Sequence, residues 1–124
     1  PSLGHITTFG GNPVIAAACR ATLSTILSSN LMAETQVKEQ LFRKLLIHKK
    51  IKEIRGKGLM LALIMESSEV AQQLVKQSLT NGILLFFLLF EPKAVRISPP
   101  LTISKKQVRY ACSKILQVLD SLDC

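Results

Sequence analysis

Two hydroxyl residues near the start of the chain, Thr7 and Thr8, stand in a segment suited to binding an anion. They precede Gly10 and Gly11, and an asparagine followed by a proline then predicts the start of a helix. Hydroxyl groups, glycine N–H groups and a helix N-terminus in one short segment can together hold phosphate oxygens. The residues alone leave two interpretations open, a phosphate site or a glycine turn before a capped helix.

Arg96 is the second candidate for chemistry, because it is a lone cation among apolar neighbours at the end of a predicted strand. A buried guanidinium costs free energy unless a carboxylate pairs with it. The carboxylate can belong to the same fold, in a structural salt bridge. It can also belong to a substrate, which the planar guanidinium holds through two parallel hydrogen bonds.

The remaining chemical motifs favour structural roles. The glycines of residues 55–58 (RGKG) are expected to serve backbone conformation rather than phosphate binding. His5 and His48 stand in no arrangement typical of a nucleophile and its base.

The cysteines also predict no site. They are odd in number and lack CxxC spacing, so no metal site is predicted and a reducing compartment is the simpler interpretation. Cys19 and Cys112 lie in apolar helical patterns and are expected to be small core residues.

Periodicity and turn residues predict seven elements in the order α-α-β-α-β-β-α. The helices are expected at residues 13–28 and 30–48, from Ser67 or Ser68 to Asn81-Gly82, and after a capping box of Ser104 and Gln107; the strands are expected at residues 59–65, 83–87 and 94–97. The first helix is apolar almost all round, so it needs a second body to cover it. The second has the pattern of an amphipathic surface helix, with Val37, Leu41, Phe42 and Leu45 on one face and two Glu–Lys or Glu–Arg pairs on the other.

Composition places the chain among globular proteins. With 124 residues, 48% hydrophobic and 19% charged, it is expected to form one domain. The longest apolar run, residues 83–90, is far shorter than the ~20 residues that cross a bilayer. The chain begins at Pro1 rather than methionine, which favours a piece of a longer protein.

The net charge of +8 is concentrated between residues 43 and 57, where Glu53 is the only acid. Three interpretations are open for this basic cluster. It can be a solvated helix end with its following loop, or a surface for an anionic partner. A nucleic-acid site is disfavoured, because Phe42 is the only nearby aromatic residue that could stack on a base.

Three segments, at residues 5–13 (HITTFGGNP), 55–59 (RGKGL) and 95–101 (VRISPPL), together resemble the C-terminal part of a class III, pyridoxal-phosphate-dependent aminotransferase. The resemblance is nearest to the ornithine and acetylornithine group. It implies an α/β (α+β) fold, the small C-terminal domain of fold-type I transferases, with helices packed on a small sheet. Within a single domain of residues 1–124, it implies a cofactor-contacting interdomain segment at 1–12, a linking helix at 13–29 and the small domain at 30–124.

The resemblance also assigns roles to the candidate residues. Thr8 matches the threonine that reaches across a dimer interface to the phosphate of pyridoxal 5'-phosphate in the other subunit, and Thr7 matches a neighbouring small hydroxyl residue. Arg96 matches an arginine that binds a substrate carboxylate. No catalytic residue is expected in this chain, because no lysine here lies in a segment like the one that bonds the cofactor in the family.

The implied function is transamination, from an ω-amino donor of the ornithine or acetylornithine type to 2-oxoglutarate. The resemblance implies a cytoplasmic homodimer acting on small molecules, with no metal, nucleic-acid or membrane partner, and an inactive isolated chain. The competing hypothesis is a non-catalytic α/β binding or regulatory module with a basic surface. It accounts for the charge alone.

Overall fold

A computed structural model describes residues 7–122, so His5 and Cys124 lie outside the described residues. The chain divides into two compact units, Pro1–Met32 and Ala33–Cys124. The helices are α1 (Pro13–Leu27), α2 (Leu31–Leu45), α3 (Ser68–Thr80) and α4 (Lys105–Ser121); the strands are β1 (Ile51–Lys57), β2 (Met60–Met65), β3 (Phe86–Leu88) and β4 (Glu91–Ile97).

Helix α1 of the first unit is predicted correctly in position but not in burial. Asn12 caps it, and proline occupies its first turn. None of its residues is buried, and Cys19 is exposed. The prediction that Cys19 is a core residue is therefore wrong for this chain. The apolar composition of a helix indicates that it needs another surface to pack against, but it does not show that the chain contains that surface.

The second unit is a four-stranded antiparallel sheet in the order β1-β2-β4-β3. The sequence predicted three of these strands and missed β1, assigning its residues to a helix end and loop. Only Ile51 and Ile54 of β1 are half-buried, while its other residues are exposed. An edge strand of this kind lacks the apolar alternation on which the prediction depends.

The other element boundaries differ by a few residues. Helix α2 ends at Leu45 rather than His48, and β3 begins at Phe86 rather than Ile83. The capping predictions for the last two helices are confirmed: Ser67 caps α3, and the Ser104–Gln107 capping box begins α4.

The core lies on one face of the sheet, against helices α2, α3 and α4. Alternate residues of β2 are buried, as expected for a strand with one covered face. The largest fully buried side chains are Phe42 and Leu46 near the end of α2, Leu61, Leu63, Met65 and Val95 in the sheet, Leu74 in α3, and Val108, Cys112, Ile115, Val118 and Leu119 in α4. The core prediction is confirmed for Cys112, and burial raises the pKa of its thiol to about 12.

The burial of side chains along helix α2 differs from that predicted for an amphipathic surface helix. Its two i,i+4 ion pairs form, but Lys38 is buried, and its ammonium donates to the carbonyl oxygen of Leu101 at 2.7 Å while pairing with Glu34 at 2.9 Å. Val37, expected on the apolar face, is exposed. Lys38 therefore ties the loop after β4 to α2, a long-range contact that helical spacing does not reveal.

The second pair, Glu39 with Arg43, fastens the β1–β2 hairpin to α2. The Arg43 guanidinium donates to the Glu39 carboxylate at 2.9 Å and to the carbonyl oxygens of Ile54 and Gly56 at 2.6 and 2.8 Å. Glu39 also accepts from the N–H of Gly58 at 2.6 Å. The N–H of Gly58, and then Arg43, hold the pKa of Glu39 below its ordinary value of 4.5.

Glycines set the shape of this hairpin, as the sequence predicted. Gly56 has φ +107°, and a Cβ there would collide with the carbonyl oxygen of Met60 on the paired strand. Gly58 has φ +62° and occupies the first position of the two-residue turn between Lys57 and Met60. The RGKG segment therefore serves the backbone of the hairpin.

Two alanine substitutions separate the steric requirement at Gly56 from the cost of positive φ alone. Gly82 also has positive φ, but a Cβ there meets nothing within 4 Å. We expect Gly82→Ala to lower the free energy of unfolding by about 1–2 kcal/mol, and Gly56→Ala to lower it by at least about twice as much. Urea denaturation measures both. Equal losses would mean that β2 moves aside without cost.

Glu39 accepts hydrogen bonds from Arg43 and from the N–H of Gly58, an arrangement that we call the Glu39–Arg43 clamp. This clamp predicts that the stability of the fold depends on pH. Because the folded-state pKa of Glu39 lies below its unfolded value, its contribution is present above pH 4.5 and is lost as pH falls through the lower folded-state pKa. We expect Glu39→Gln to flatten the fall in unfolding free energy between pH 6 and pH 3. Glu53→Gln, which removes an exposed pairing with Arg55, is the control and should leave the slope nearly unchanged. Identical slopes for the wild type and Glu39→Gln contradict the prediction.

Candidate functional site

Thr7 and Thr8 lie together in an exposed turn before α1. The N–H of Gly10 approaches the carbonyl oxygen of Thr7 at 3.5 Å, and a Cβ on Gly10 would come within 2.6 Å of the Thr7 methyl group. Glycine at position 10 therefore lets the turn close on Thr7. Among residues 7–122, none accepts a hydrogen bond from either threonine hydroxyl.

The helix N-terminus beside this turn is less available than the sequence suggested. The side-chain oxygen of Asn12 accepts from the N–H groups of Val14 and Ile15 at 3.0 and 3.3 Å. Those two donors are satisfied within the chain. The threonine hydroxyls, rather than the first helical N–H groups, are consequently the donors that this segment offers to an anion.

Arg96 lies on the face of the sheet opposite the helices. Its neighbours Val95 and Ile97 are buried in the core, and alternation along β4 places Arg96 on the other side. The strand register aligns it with Ala62 on β2 and with Phe86 on β3, and Ala62 in turn with Arg55 on β1. These four residues form a row across the whole sheet, which we call the arginine row.

Arg96 is exposed rather than buried. Its Cζ atom lies over the ring of Phe86, 5.1 Å from the ring centroid. Among the described residues, no acidic side chain forms an ion pair with it. The alternative of a structural salt bridge is therefore not realised in the described part of the chain.

A shallow cavity of about 240 Å³ lies beside Arg96 in the second unit. Apolar groups dominate its lining, with Met60, Ala62 and Leu88 among them, and Arg55, Arg96 and Ser98 also border it. An apolar cavity bordered by an arginine suits a small molecule that carries a carboxylate on a hydrocarbon chain.

Most charges of the basic cluster are paired within the fold. Arg43 pairs with Glu39, Lys50 and Lys52 approach Glu66 at 3.2 and 3.8 Å, and Arg55 pairs with Glu53 at 2.7 Å. The interpretation of the basic cluster as a solvated helix end with its following loop is wrong in part, because residues 51–57 of the cluster form strand β1. The pairing leaves less basic surface for an anionic macromolecule than the net charge suggests.

The described residues 7–122 contain no group of three or more His, Cys, Asp or Glu side chains that could hold a metal ion. His48 instead joins two elements, with Nε2 3.3 Å from the Asp120 carboxylate and Nδ1 accepting from the N–H of Lys50. In the same part of the chain no single helix is long and apolar enough to cross a membrane, and only α1 and α2 as a bent pair reach the required length and composition.

Sequence reasoning missed the partner of Arg96. Phe86 belongs to an apolar run in which no residue stands out, and its pairing with Arg96 depends on strand register. The sequence singles out Arg55 only through its neighbouring glycines. Thr8 belongs to the first compact unit and Arg96 to the second.

Comparison with known proteins gives one family match. The model of the class III aminotransferases matches residues 1–119. The acetylornithine aminotransferase from Elizabethkingia anophelis is 29% identical with a TM-score of 0.83, over 94% of this chain and 31% of its own. The ornithine aminotransferase from Toxoplasma gondii is 28% identical with a TM-score of 0.83, over 96% of this chain and 30% of its own.

A third solved structure is similar in fold. The adenosylmethionine-8-amino-7-oxononanoate aminotransferase from Methanocaldococcus jannaschii is 22% identical with a TM-score of 0.78, over 95% of this chain and 30% of its own. Together these matches confirm the predicted fold class. The chain spans about 30% of the length of these solved structures.

Proposed function

This chain belongs to the class III aminotransferase family, and from that premise we propose that it is the small C-terminal domain of a pyridoxal-phosphate-dependent transaminase. The enzyme moves an amino group from an ω-amino donor of the ornithine or acetylornithine type to 2-oxoglutarate. Similarity to an acetylornithine and an ornithine aminotransferase, at 29% and 28% identity, supports this donor class.

The observation that carries the proposal is the state of Arg96. It is an exposed arginine that borders an apolar cavity, with no acidic partner among the described residues. A guanidinium presents its N–H donors in a planar fork that matches a carboxylate. Arg96 binds the substrate carboxylate, and the apolar lining accommodates the carbon chain attached to it.

The turn before α1 fits the phosphate of pyridoxal 5'-phosphate. Thr8 and Thr7 offer hydroxyl donors that no described residue uses, and Gly10 leaves room for the turn to close. A second structure of the Toxoplasma gondii ornithine aminotransferase, 27% identical to this chain, has partial occupancy of PLP at its active site. Thr8 donates to a phosphate oxygen, and Thr7 supports it from the same turn.

These residues define what the cofactor and this chain each contribute to the reaction. The cofactor, when bound, acts as the electron sink for amino transfer. This chain contributes binding and orientation: Thr8 holds the phosphate end, and Arg96 fixes the substrate by its carboxylate. Chemistry at the amino group needs a lysine from outside this chain, so the isolated chain is inactive.

The same proposal gives the exposed helix α1 a role. Segment 1–12 contacts the cofactor of the other subunit in a cytoplasmic homodimer, residues 13–29 form a linking helix, and residues 30–124 form the small domain. The exposed apolar side chains of α1, Val14, Ile15, Leu23 and Leu27 among them, then have a partner surface to cover them. The competing hypothesis, a basic binding or regulatory module, gains no support, because much of its charge is paired internally.

The phosphate role of Thr8 predicts weaker cofactor binding in the variant Thr8→Ala of the enzyme that carries this chain. The lost hydrogen bond to a charged group should reduce the binding free energy of pyridoxal phosphate by about 1.5–3 kcal/mol. Thr22→Ala is the matched control, because the Thr22 hydroxyl donates to Ala18 within α1. Equilibrium dialysis gives both dissociation constants, and an unchanged value for Thr8→Ala refutes the role.

The carboxylate role of Arg96 predicts a selective kinetic defect in Arg96→Lys. Lysine keeps the charge but loses the planar two-point fork. The half-reaction with 2-oxoglutarate should lose kcat/KM by roughly tenfold or more, as expected for one lost charge-assisted hydrogen bond. The half-reaction with a simple amine that lacks a carboxylate should change little. Equal losses on both substrates would mark Arg96 as a structural residue.

A further inference from the structure

We propose that Phe86 is a positioning residue for Arg96: its ring holds the guanidinium on the open face of the sheet while leaving the N–H donors free for a carboxylate. The inference rests on the carboxylate-binding function proposed for Arg96. It adds a residue from β3 to that site and assigns a role to one position of the apolar run at residues 83–90.

The contact follows from strand register. Phe86 and Arg96 are direct partners on the antiparallel strands β3 and β4, so their side chains project from the same face of the sheet. The Arg96 Cζ atom lies 5.1 Å from the centroid of the Phe86 ring, within the distance at which a cation is attracted to an aromatic face. Phe86 is itself 47% exposed, so core packing does not account for its size.

A phenyl ring differs from a carboxylate as a partner for arginine. A carboxylate would occupy the N–H donors of the guanidinium and compete directly with a substrate. A ring attracts the cation through its π-face and supplies no lone pair, so all five N–H donors remain available. Phe86 therefore restricts the long arginine side chain without using the atoms that bind substrate, which reduces the ordering cost of binding.

The next residue along β3 provides an internal control. Phe87 pairs with Val95, whose side chain is in the core, so Phe87 projects from the opposite face to Phe86. It is also exposed, at 58%. The variants Phe86→Leu and Phe87→Leu thus remove the same ring from two sides of one strand, and only the first removes it from Arg96.

The experiment uses the isotopically labelled 124-residue chain and nuclear magnetic resonance of the arginine Nε–Hε groups. Relaxation of Arg96 Nε reports its order on the picosecond to nanosecond timescale. Titration with glutarate, a dicarboxylate probe, gives a dissociation constant from the shift of the same signal. Arg109, exposed on α4, reports non-specific binding.

We expect Arg96 Nε to be ordered in the wild type and in Phe87→Leu, and mobile in Phe86→Leu. Glutarate binding should weaken roughly three- to tenfold in Phe86→Leu, the range for one side chain that must be ordered on binding. Phe86→Tyr keeps the ring face and should restore both the order and the affinity. Thermal unfolding of all variants verifies that the fold is retained.

The possible failures are distinguishable. If glutarate binds at Arg96 equally well in the wild type and in Phe86→Leu, the positioning role is overturned and the carboxylate function stands. If Phe86→Leu and Phe87→Leu weaken binding equally, the effect is a general one of the β3–β4 hairpin and the positioning role is again overturned. If the Arg96 signal in the wild type does not respond to glutarate beyond that of Arg109, the proposed carboxylate function fails, and the positioning role fails with it.

Discussion

The structure of the second unit depends on one constraint, the alternation of side chains along the central strand β4 between a covered and an open face. Val95 and Ile97 are buried against the helices, so Arg96 between them must project from the other side. Shifting the register by one residue would bury the guanidinium and expose the core. The hydrophobic effect that folds the sheet is therefore also what presents the candidate binding group.

The antiparallel neighbours of β4 then determine what surrounds Arg96. Strand β2 contributes Ala62, whose small side chain leaves space for the cavity, and β3 contributes Phe86, whose ring contacts the cation. Strand β1 completes the arginine row and is held by the Glu39–Arg43 clamp rather than by a strongly apolar face. A polar clamp suits an edge strand, because such a strand has little apolar surface to bury.

The basic side chains differ in whether they have an acidic partner within the described part of the fold. Lys38, Arg43 and Lys50 each have an acidic partner within 3.2 Å, and Lys38 and Arg43 also donate to backbone carbonyls. Among the described residues Arg96 has no acidic partner, and its neighbour is an aromatic ring. A net charge of +8 therefore says little about this surface until each cation is assigned a partner.

The sequence by itself determined what depends on neighbours in the chain. Asn12 at the start of α1, the Ser104–Gln107 capping box and the glycines of the β1–β2 hairpin were predicted because caps and turns are local interactions. The three motifs were sufficient to predict the family. The match of the family model to residues 1–119 confirms that prediction.

Only the tertiary structure decided what depends on residues far apart in the chain. Strand β1 carries too few apolar residues to be recognised alone, and it forms because β2 and α2 supply its hydrogen-bond partners. The burial of Lys38, the exposure of Cys19 and the placement of Phe86 beside Arg96 follow from which elements pack together and in which register. Periodicity reports which residues share a face of one element, but packing between elements decides what that face meets.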